Sequence, residues 1–150
     1  MDLILWRHAE AEDGGPDLER RLTGKGRKQA KRVATWLLQR LPSKFMLLSS
    51  PAVRACQTAQ SLDVHYKTKA QLAPGASVAE VLQAVDWPRR KGAVVVVGHQ
   101  PTLGCVASTL VAGSPVEWSL RKGALWWLNY RVRNGQAQVV VRAVVGPDLV

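Results

Sequence analysis

The pattern of hydrophobic and polar positions along the chain contains three short, uninterrupted apolar runs. Runs of this length are typical of strands that are buried on both faces, as in parallel sheets. The predicted parallel strands cover residues 2–7, 45–49 and 93–98. A further short strand near residues 64–66 is expected at a sheet edge, because His65 and Lys67 make that segment polar.

Helical periodicity occupies the segments between these predicted strands. Four helices are expected, over residues 23–41, 50–62, 77–85 and 101–112. Thr23 is the N-cap candidate of the first helix, and Pro42 ends that helix. Ser50 as an N-cap, followed by Pro51 at the first helical position, is the start signal of the second helix.

The last part of the chain is rich in β-forming residues. Segments 123–132 and 136–145 flank Asn134-Gly135, a dipeptide typical of two-residue hairpin turns. The chain contains no repeat or linker, so residues 1–150 are expected to form a single domain. The predicted class is α/β, with a mostly parallel central sheet and a C-terminal antiparallel hairpin.

Composition and charge limit the classes of protein to which the chain can belong. Hydrophobic residues make up 47% of the chain, which is typical of a globular protein and excludes a largely disordered one. The formal net charge of +10 predicts attraction to anions such as nucleic acid, phosphorylated ligands or an acidic protein surface. No apolar stretch approaches the ~20 residues of a membrane span, and no export signal precedes the first strand. With two cysteines in no framework spacing, a cytoplasmic location is expected.

Candidate chemistry lies where the three predicted parallel strands end. Arg7 and His8 follow the first strand. Arg54 lies in the first turn of the helix after the second strand, and His99 follows the third strand. Because the carboxyl ends of parallel strands meet at one rim of a sheet, these four residues are expected around one anion-sized space.

Arginine and histidine in one space favour phosphoryl chemistry. Arginine presents forked donors that match phosphate oxygens, and neutral imidazole is a nucleophile towards phosphorus. A loop arginine, Arg20 or Arg21, is in a position to reach the same space. The sequence has no carboxylate cluster for a metal, no glycine-rich nucleotide loop and no cysteine-based phosphatase loop. The residues therefore predict phosphoryl transfer onto histidine without a metal or other cofactor.

These candidate residues belong to four motifs that lie in order along the chain. The motifs are Arg7-His8-Ala9, Arg20-Arg21-Leu22-Thr23, Ser49-Ser50-Pro51 with Arg54 and Thr58, and Val97-Gly98-His99. With this combination, residues 1 to about 113 resemble the histidine phosphatase superfamily and, within it, the short SixA-type phosphohistidine phosphatases. The resemblance implies a phosphoglycerate mutase-like fold, in which helices cover both faces of the sheet in a three-layer sandwich.

The resemblance also implies a role for each candidate residue. It identifies His8 as the phosphorylated nucleophile. Arg7, Arg54 and His99 would bind the phosphoryl group. By position, Arg20 matches a loop arginine that also contacts phosphate in proteins of this type.

No residue clearly matches the glutamate that usually serves as general acid in this family. Glu80, on the short helix before the third strand, is the candidate, and it either faces the site or faces water. A phosphohistidine substrate needs such an acid least, because its leaving imidazole, with a pKa of about 6.5, is protonated readily by solvent. An alkyl phosphate ester needs a positioned proton donor.

Three functions stay open at this point. The first is a phosphatase that dephosphorylates phosphohistidine on a protein, since the short segment between Arg54 and His99 predicts an open site without a lid. The basic face of the first helix, over residues 25–32, is then expected to attract an acidic partner. The second is a phosphatase of the same fold that acts on a small phosphorylated molecule. The third is a basic nucleic-acid-binding domain, although the chain lacks the recognition motifs of that class.

Overall fold

The computed structural model describes residues 1–150, and its strands all belong to one sheet. The strands are β1 (Asp2–Arg7), β2 (Phe45–Ser49), β3 (Lys67–Thr68), β4 (Ala93–Gly98), β5 (Leu125–Arg133) and β6 (Gln136–Val145). The helices are α1 (Gly24–Leu38), α2 (Val53–Gln60), α3 (Val78–Ala84) and α4 (Thr102–Ala112), with 3-10 turns at Asp17–Glu19 and Ala70–Leu72. None of the helices is both long and apolar enough to cross a membrane.

The sheet is mixed, with the strand order β3-β2-β4-β1-β5-β6. The four strands β3, β2, β4 and β1 are parallel, and β5 and β6 add an antiparallel hairpin beside β1. Asn134 and Gly135 have φ angles of 51° and 74°, which is the left-handed backbone that a hairpin turn of this kind requires. The predicted parallel strands and the C-terminal hairpin are therefore confirmed.

Helices cover both faces of this sheet, which gives the predicted three-layer α/β sandwich. Successive residues of β1 point to opposite faces, so that Leu3 and Leu5 join one core while Ile4 and Trp6 join the other. The first core is completed by α3 and α4 and the second by α1 and α2. The strands β1 and β4 are buried on both faces, so packing against both cores fixes the position of their carboxyl ends. These carboxyl ends form the rim where the candidate residues lie.

The second helix starts later than the sequence predicted. Ser50 lies before the helix, where its backbone N–H donates to the carbonyl of Val97 at 2.9 Å, and Ala52 is still extended with φ −60° and ψ 136°. The residue at the N-cap position is Ala52, and the helix begins at Val53 and ends at Gln60. The hydroxyl of Ser50 instead contacts His99 at the sheet rim, as described below.

Two further boundaries differ from the predictions. The edge strand lies at Lys67–Thr68, because Asp63 adopts a left-handed turn (φ 52°) that delays the return of the chain to the sheet. The first helix ends at Leu38, and residues 39–41 form a hydrogen-bonded turn before Pro42. Its N-cap is Thr23 as predicted, with the side chain accepting from the backbone N–H of Gly26 at 2.9 Å.

Candidate active site

Two histidines meet at the carboxyl-end rim of the parallel strands. His8 follows β1 and His99 follows β4, and these neighbouring strands are in register so that Arg7 lies opposite Gly98. The backbone N–H of His8 donates to the carbonyl of Gly98 at 3.0 Å. The two imidazole rings consequently lie side by side, with centroids 5.1 Å apart, and both are buried.

Arg54 connects the two histidines. It lies in the first turn of α2, and only 3% of its surface is exposed. Its Nε atom donates to Nε2 of His8 at 3.3 Å, and its Nη2 atom contacts Nδ1 of His99 at 3.4 Å. The structure therefore brings three of the four predicted strand-end residues into one hydrogen-bonded cluster.

The hydrogen bonds of His8 define which of its ring nitrogens carries a proton. Nδ1 lies 2.8 Å from the carbonyl oxygen of Ala9, and a carbonyl can only accept, so Nδ1 is the protonated nitrogen. Nε2 then carries the lone pair, in agreement with its acceptance of a hydrogen bond from Arg54. In this tautomer the unprotonated nitrogen of His8 faces the arginine-lined space.

His99 has the opposite tautomer. A guanidinium has no acceptor, so Nδ1 of His99 accepts from Arg54, and the ring proton is on Nε2. Nε2 donates to the hydroxyl of Ser50 at 2.7 Å. Ser50 also accepts the backbone N–H of Ala52 at 3.2 Å, so the start of α2 and the orientation of His99 are linked.

Burial keeps both rings uncharged at neutral pH. Desolvation is the main cause that lowers the pKa of His8 to about 4; the hydrogen bond to the Ala9 carbonyl raises it in part, and the charges of Arg54 and then Arg7 lower it further. Desolvation also lowers the pKa of His99 to about 3, assisted by His8 and Arg54. A neutral imidazole retains its lone pair, so His8 has the protonation state of a nucleophile.

Arg7 contributes a second cation to the site. Its Nη1 atom donates to the carbonyl oxygen of Leu120 at 2.7 Å, which fixes the guanidinium against the loop before β5. Its Nε atom is buried and has no hydrogen-bond partner in the protein. Burial lowers the pKa of Arg7, but an arginine stays charged at neutral pH.

Asp17 and Arg20 form the outer side of the site. Arg54 donates to the Asp17 carbonyl oxygen at 2.6 Å and to its Oδ2 atom at 3.1 Å. Arg20 donates to Oδ1 of the same carboxylate through Nε and Nη2, at 3.2 and 3.1 Å. Hydrogen bonds from Arg20 and then Arg54 hold the pKa of Asp17 below its usual value, so this carboxylate stays ionised. Arg21, the alternative loop arginine, is exposed and does not line the cavity.

A backbone hydrogen bond joins the two ends of the loop that carries Asp17 and Arg20. The backbone N–H of Glu12 donates to the carbonyl of Arg21 at 2.8 Å, so the loop closes on itself before α1 begins. Thr58, which is fully buried on α2, accepts the N–H of Ala9 at 3.1 Å and donates to the carbonyl of Arg54 at 2.8 Å. Thr58 therefore couples the chain after β1 to the helix that carries Arg54.

These side chains enclose a cavity of about 360 Å³. Its lining consists of Arg7, His8, Ala11, Asp17, Arg20, Arg54, Pro74, His99, Gln100 and Lys122. Asp17 is the only carboxylate among them. All the predicted phosphate-binding residues line this cavity, together with three polar residues that the sequence did not single out, namely Asp17, Gln100 and Lys122.

The sequence signals for these missed residues differ. Asp17 is spaced i,i+3 from Arg20, a local pairing pattern that was available in the sequence. Lys122 had no such signal, because it reaches the site only through the antiparallel pairing of β1 with β5. That pairing sets Trp6 opposite Leu125, so the loop before β5 lies beside Arg7.

Glu80 is not brought to this cavity. Its carboxylate forms a capping box at the start of α3, where Oε2 accepts from the backbone N–H and the hydroxyl of Ser77 at 2.8 and 2.9 Å. Those hydrogen bonds lower the pKa of Glu80, so it is ionised at neutral pH. The geometry gives Glu80 a structural role at the helix N-terminus and leaves it without contact to His8.

The first half of the chain matches a known protein family. Residues 3–77 match the model of the histidine phosphatase superfamily, branch 1. The chain belongs to the histidine phosphatase superfamily. An uncharacterised protein of Picosynechococcus is 37% identical to this histidine phosphatase over 124 residues, covering 75% of this chain and 74% of the relative.

Solved structures share the fold of this histidine phosphatase. The protein histidine phosphatase SixA, solved with tungstate, superposes with a TM-score of 0.83 at 22% identity, over 99% of this chain and 98% of SixA. Phosphoserine phosphatase of Entamoeba histolytica, solved with 3-phosphoglyceric acid, has a TM-score of 0.69 at 18% identity, over 95% of both chains. The SixA-type, phosphoglycerate mutase-like fold expected from the sequence is confirmed, and relatives with that fold include phosphatases named for different substrates.

Proposed function

We propose that this histidine phosphatase works through a covalent phosphohistidine intermediate on His8. In the first step the lone pair of Nε2 attacks phosphorus, an Nε2–P bond forms, and the bond from phosphorus to the leaving group breaks. In the second step water attacks phosphorus, the Nε2–P bond breaks, and inorganic phosphate leaves with His8 restored. The observation that carries the proposal is the unprotonated Nε2 of a neutral, buried His8 held against Arg54.

The cations around His8 supply the charge stabilisation that this reaction requires. Arg7, Arg20 and Arg54 line the same cavity as the nucleophile, and forked guanidinium donors match the oxygens of a transferring phosphoryl group. His99 is a further donor, because a bound phosphoryl dianion favours protonation of Nδ1, the ring nitrogen that accepts from Arg54. We infer that these fixed positive charges stabilise the transferring phosphoryl group, which is the role of a metal ion in other phosphatases. Activity should therefore persist in the presence of a chelator such as EDTA.

We further propose that the substrate is a phosphohistidine on a protein. Asp17 is the only carboxyl group in the cavity lining, and its pairing with Arg20 and Arg54 keeps it ionised, so it is a poor proton donor. A leaving imidazole, with a pKa near ~6.5, needs no placed acid, whereas the alkoxide of a phosphate ester does. The absence of a donor therefore favours a labile P–N bond over an alkyl ester.

A side-by-side assay tests this substrate class. A phosphohistidine peptide, the matching phosphoserine peptide and a sugar phosphate are offered at equal concentration with and without EDTA, and phosphate release is followed. We expect the phosphohistidine peptide to be hydrolysed at least about 100-fold faster than either ester, because a missing general acid costs about 10²–10⁴ in rate. A preference for an ester, or loss of activity in EDTA, contradicts the proposal.

The second candidate is a phosphatase of small phosphomonoesters. The cavity volume of about 360 Å³ lies in the range of small-ligand pockets, and this observation favours a metabolite. The matched control in the same assay is p-nitrophenyl phosphate, an ester whose leaving group needs no acid. Turnover of that ester but not of phosphohistidine would support the small-molecule candidate.

We also propose that the protein works in the cytoplasm. Cys56 and Cys105 are both free thiols, which is the state expected in a reducing compartment. Fractionation of cells that produce the protein, followed by immunodetection, tests this location.

A further inference from the structure

A second concave surface continues from the candidate active site along α1. Its charged lining consists of Arg7, Lys25, Lys28, Arg32, Arg121 and Lys122, with Asp148 as the single acidic residue; we call this surface the basic groove. It has a volume of about 600 Å³, larger than the cavity around His8. Arg7 and Lys122 line both spaces, so the groove adjoins the cavity that contains the candidate nucleophile.

Helical spacing directs part of the basic face of α1 into this groove. Lys25, Lys28 and Arg32 are spaced i, i+3 and i+7, which places them on one side of the helix. Arg27 and Lys31 belong to the same helix and are exposed, but they do not line the groove. The charge of the helix is thus divided between two faces, of which one adjoins the site.

Most of the charge in the groove is not neutralised by the protein itself. Lys28, Arg32 and Lys122 make no ion pair, and the pairs Lys25–Glu10 and Arg121–Asp148 are long, at 3.7 and 3.6 Å. Like charges in one concavity repel each other, and they concentrate a field that attracts anions from solution. The groove is therefore complementary to a ligand that carries several negative charges.

The lining chemistry favours an acidic peptide over a nucleic acid or an apolar ligand. Leu120 and Pro147 are the only nonpolar residues in the lining, so charged and polar residues make up most of the groove. No aromatic side chain lines it, which removes the stacking surface that unpaired bases use. Ser119 and Asp148 carry oxygen atoms that can accept from peptide N–H groups, whereas Oε1 of Gln29 already accepts from the backbone N–H of Glu10.

We propose that the basic groove binds an acidic segment next to the phosphorylated residue of a protein substrate. The inference rests on the proposed function, and it adds what the substrate must carry beyond its phosphoryl group. Acidic residues a few positions from the phosphohistidine would occupy the groove while the phosphoryl group enters the cavity. Selection of the substrate is then electrostatic and occurs outside the reacting cluster.

Two synthetic peptides test the groove. Both carry one phosphohistidine, flanked by glutamates in the first and by glutamines in the second, and kcat/KM is measured at low and at physiological salt. We expect the glutamate peptide to be hydrolysed with about 10-fold higher kcat/KM at low salt and with a smaller advantage at physiological salt, because surface charges steer encounter and are screened. Equal kcat/KM for the two peptides at low salt overturns the proposal.

A pair of matched variants assigns the effect to the groove. Lys28→Gln with Arg32→Gln removes one lysine and one arginine from the groove face, and Arg27→Gln with Lys31→Gln removes the same charges from the other face. The first variant should lose most of the preference for the glutamate peptide, the second should retain it, and both should hydrolyse p-nitrophenyl phosphate like the parent protein. An equal loss in the two variants would mean that net charge alone attracts the peptide, and the groove would have no specific role.

Binding measurements separate a failure of the groove from a failure of the proposed function. If neither phosphohistidine peptide is hydrolysed while p-nitrophenyl phosphate is, the proposed substrate class is wrong. Fluorescence anisotropy with the unphosphorylated glutamate peptide then tests the groove. The variant with Lys28→Gln and Arg32→Gln must bind this peptide more weakly than the variant with Arg27→Gln and Lys31→Gln. A DNA oligonucleotide of equal charge is then added as a competitor at physiological salt. If the oligonucleotide binds more tightly than the peptide and displaces it, the groove is a nucleic-acid site and the proposal is overturned.

Discussion

Basic side chains lie at both ends of the parallel strands, but the two ends differ in burial and in the contacts between those side chains. At the amino ends of β2 and β4 lies a pocket of about 600 Å³ that is lined by His65 and by four cationic residues, Lys44, Lys67, Arg90 and Lys91; we call it the opposite pocket. It is larger than the cavity of about 360 Å³ at the carboxyl ends. His65 is exposed and makes no hydrogen bond to another side chain, whereas His8 and His99 are buried and both contact Arg54.

This difference shows that neither positive charge nor volume identifies the functional end of the sheet. At the carboxyl-end rim, the buried side chains of His8, Arg54 and His99 contact one another. Their hydrogen bonds restrict the orientation of each side chain and the tautomer of each histidine. At the opposite pocket, the three lysines Lys44, Lys67 and Lys91 are exposed, and water screens their charges. A phosphoryl group is stabilised by donors that are already oriented, and only the first arrangement provides them.

The largest expected effect contrasts histidines at the two ends. His8→Ala should lower turnover of a phosphohistidine peptide by more than about 10⁴-fold, because a removed nucleophile has no substitute. His65→Ala, in the opposite pocket, should leave turnover unchanged. Labelling with a ³²P substrate, quenched with detergent at alkaline pH where the P–N bond survives, should trap a phosphoenzyme in the parent protein and in His65→Ala but not in His8→Ala. Substantial residual turnover in His8→Ala would exclude His8 as the nucleophile.

The next effect contrasts cations at the two ends. Arg54→Ala should lower kcat by about 10²–10³-fold, since it removes a buried donor to the transferring phosphoryl group. Lys91→Ala also removes one positive charge, from the opposite pocket, and should change kcat less than about twofold, as expected for an exposed cation. Similar losses in both variants would show that the overall field of the protein, rather than local geometry, drives catalysis. Thermal unfolding of both variants checks that the fold is retained.

Titration of the imidazoles by NMR sharpens the comparison further. His8 and His99 should titrate near the lowered pKa values of about 4 and 3, because burial disfavours their charged forms. The nitrogen shifts at neutral pH should show a proton on Nδ1 of His8 and on Nε2 of His99. A midpoint near the ordinary value of ~6.5 for His8 would contradict the buried, neutral nucleophile.

The lowered pKa values also fix the direction of the pH dependence of stability. Between the folded value of about 4 and the unfolded value of 6.5, the unfolded chain binds more protons at His8 than the folded chain. The free energy of unfolding therefore falls as the pH drops through this window, by on the order of 3 kcal/mol for this residue. Denaturant unfolding at several pH values should show that His8→Ala loses less stability in acid than the parent protein.

The smallest expected effect concerns two carboxylates with the same local pairing. Asp17 and Asp86 each bind the arginine three residues later, but only Asp17 also binds the buried Arg54. Asp17→Asn should raise KM about two- to fivefold through looser positioning of Arg20 and Arg54, while kcat changes less. Asp86→Asn should change neither constant. A fall in KM on Asp17→Asn would instead mean that this carboxylate competes with the substrate for the arginines.

Features that depend on residues near in sequence were predictable from the chain alone. Uninterrupted apolar runs predicted β1, β2 and β4, because a strand buried on both faces must be apolar throughout. Thr23 predicted the start of α1, and Asn134-Gly135 predicted the β5–β6 turn, since the cap and the left-handed backbone are local requirements. Parallel crossovers then implied that the chain segments after β1 and β4 end at one rim.

Features that depend on which strands become neighbours were decided only by the tertiary structure. The antiparallel pairing of β5 with β1 brought Lys122 beside Arg7, although more than a hundred residues separate them in the sequence. Ser50 contacts the Val97 carbonyl and His99, and α2 begins at Val53 and not at the position that the local signal predicted. The protonation of His8 was also a tertiary outcome, because its neutral state results from burial by elements that are distant in the sequence. Local sequence sets the conformation of a segment, but burial and register determine which of its side chains can act together.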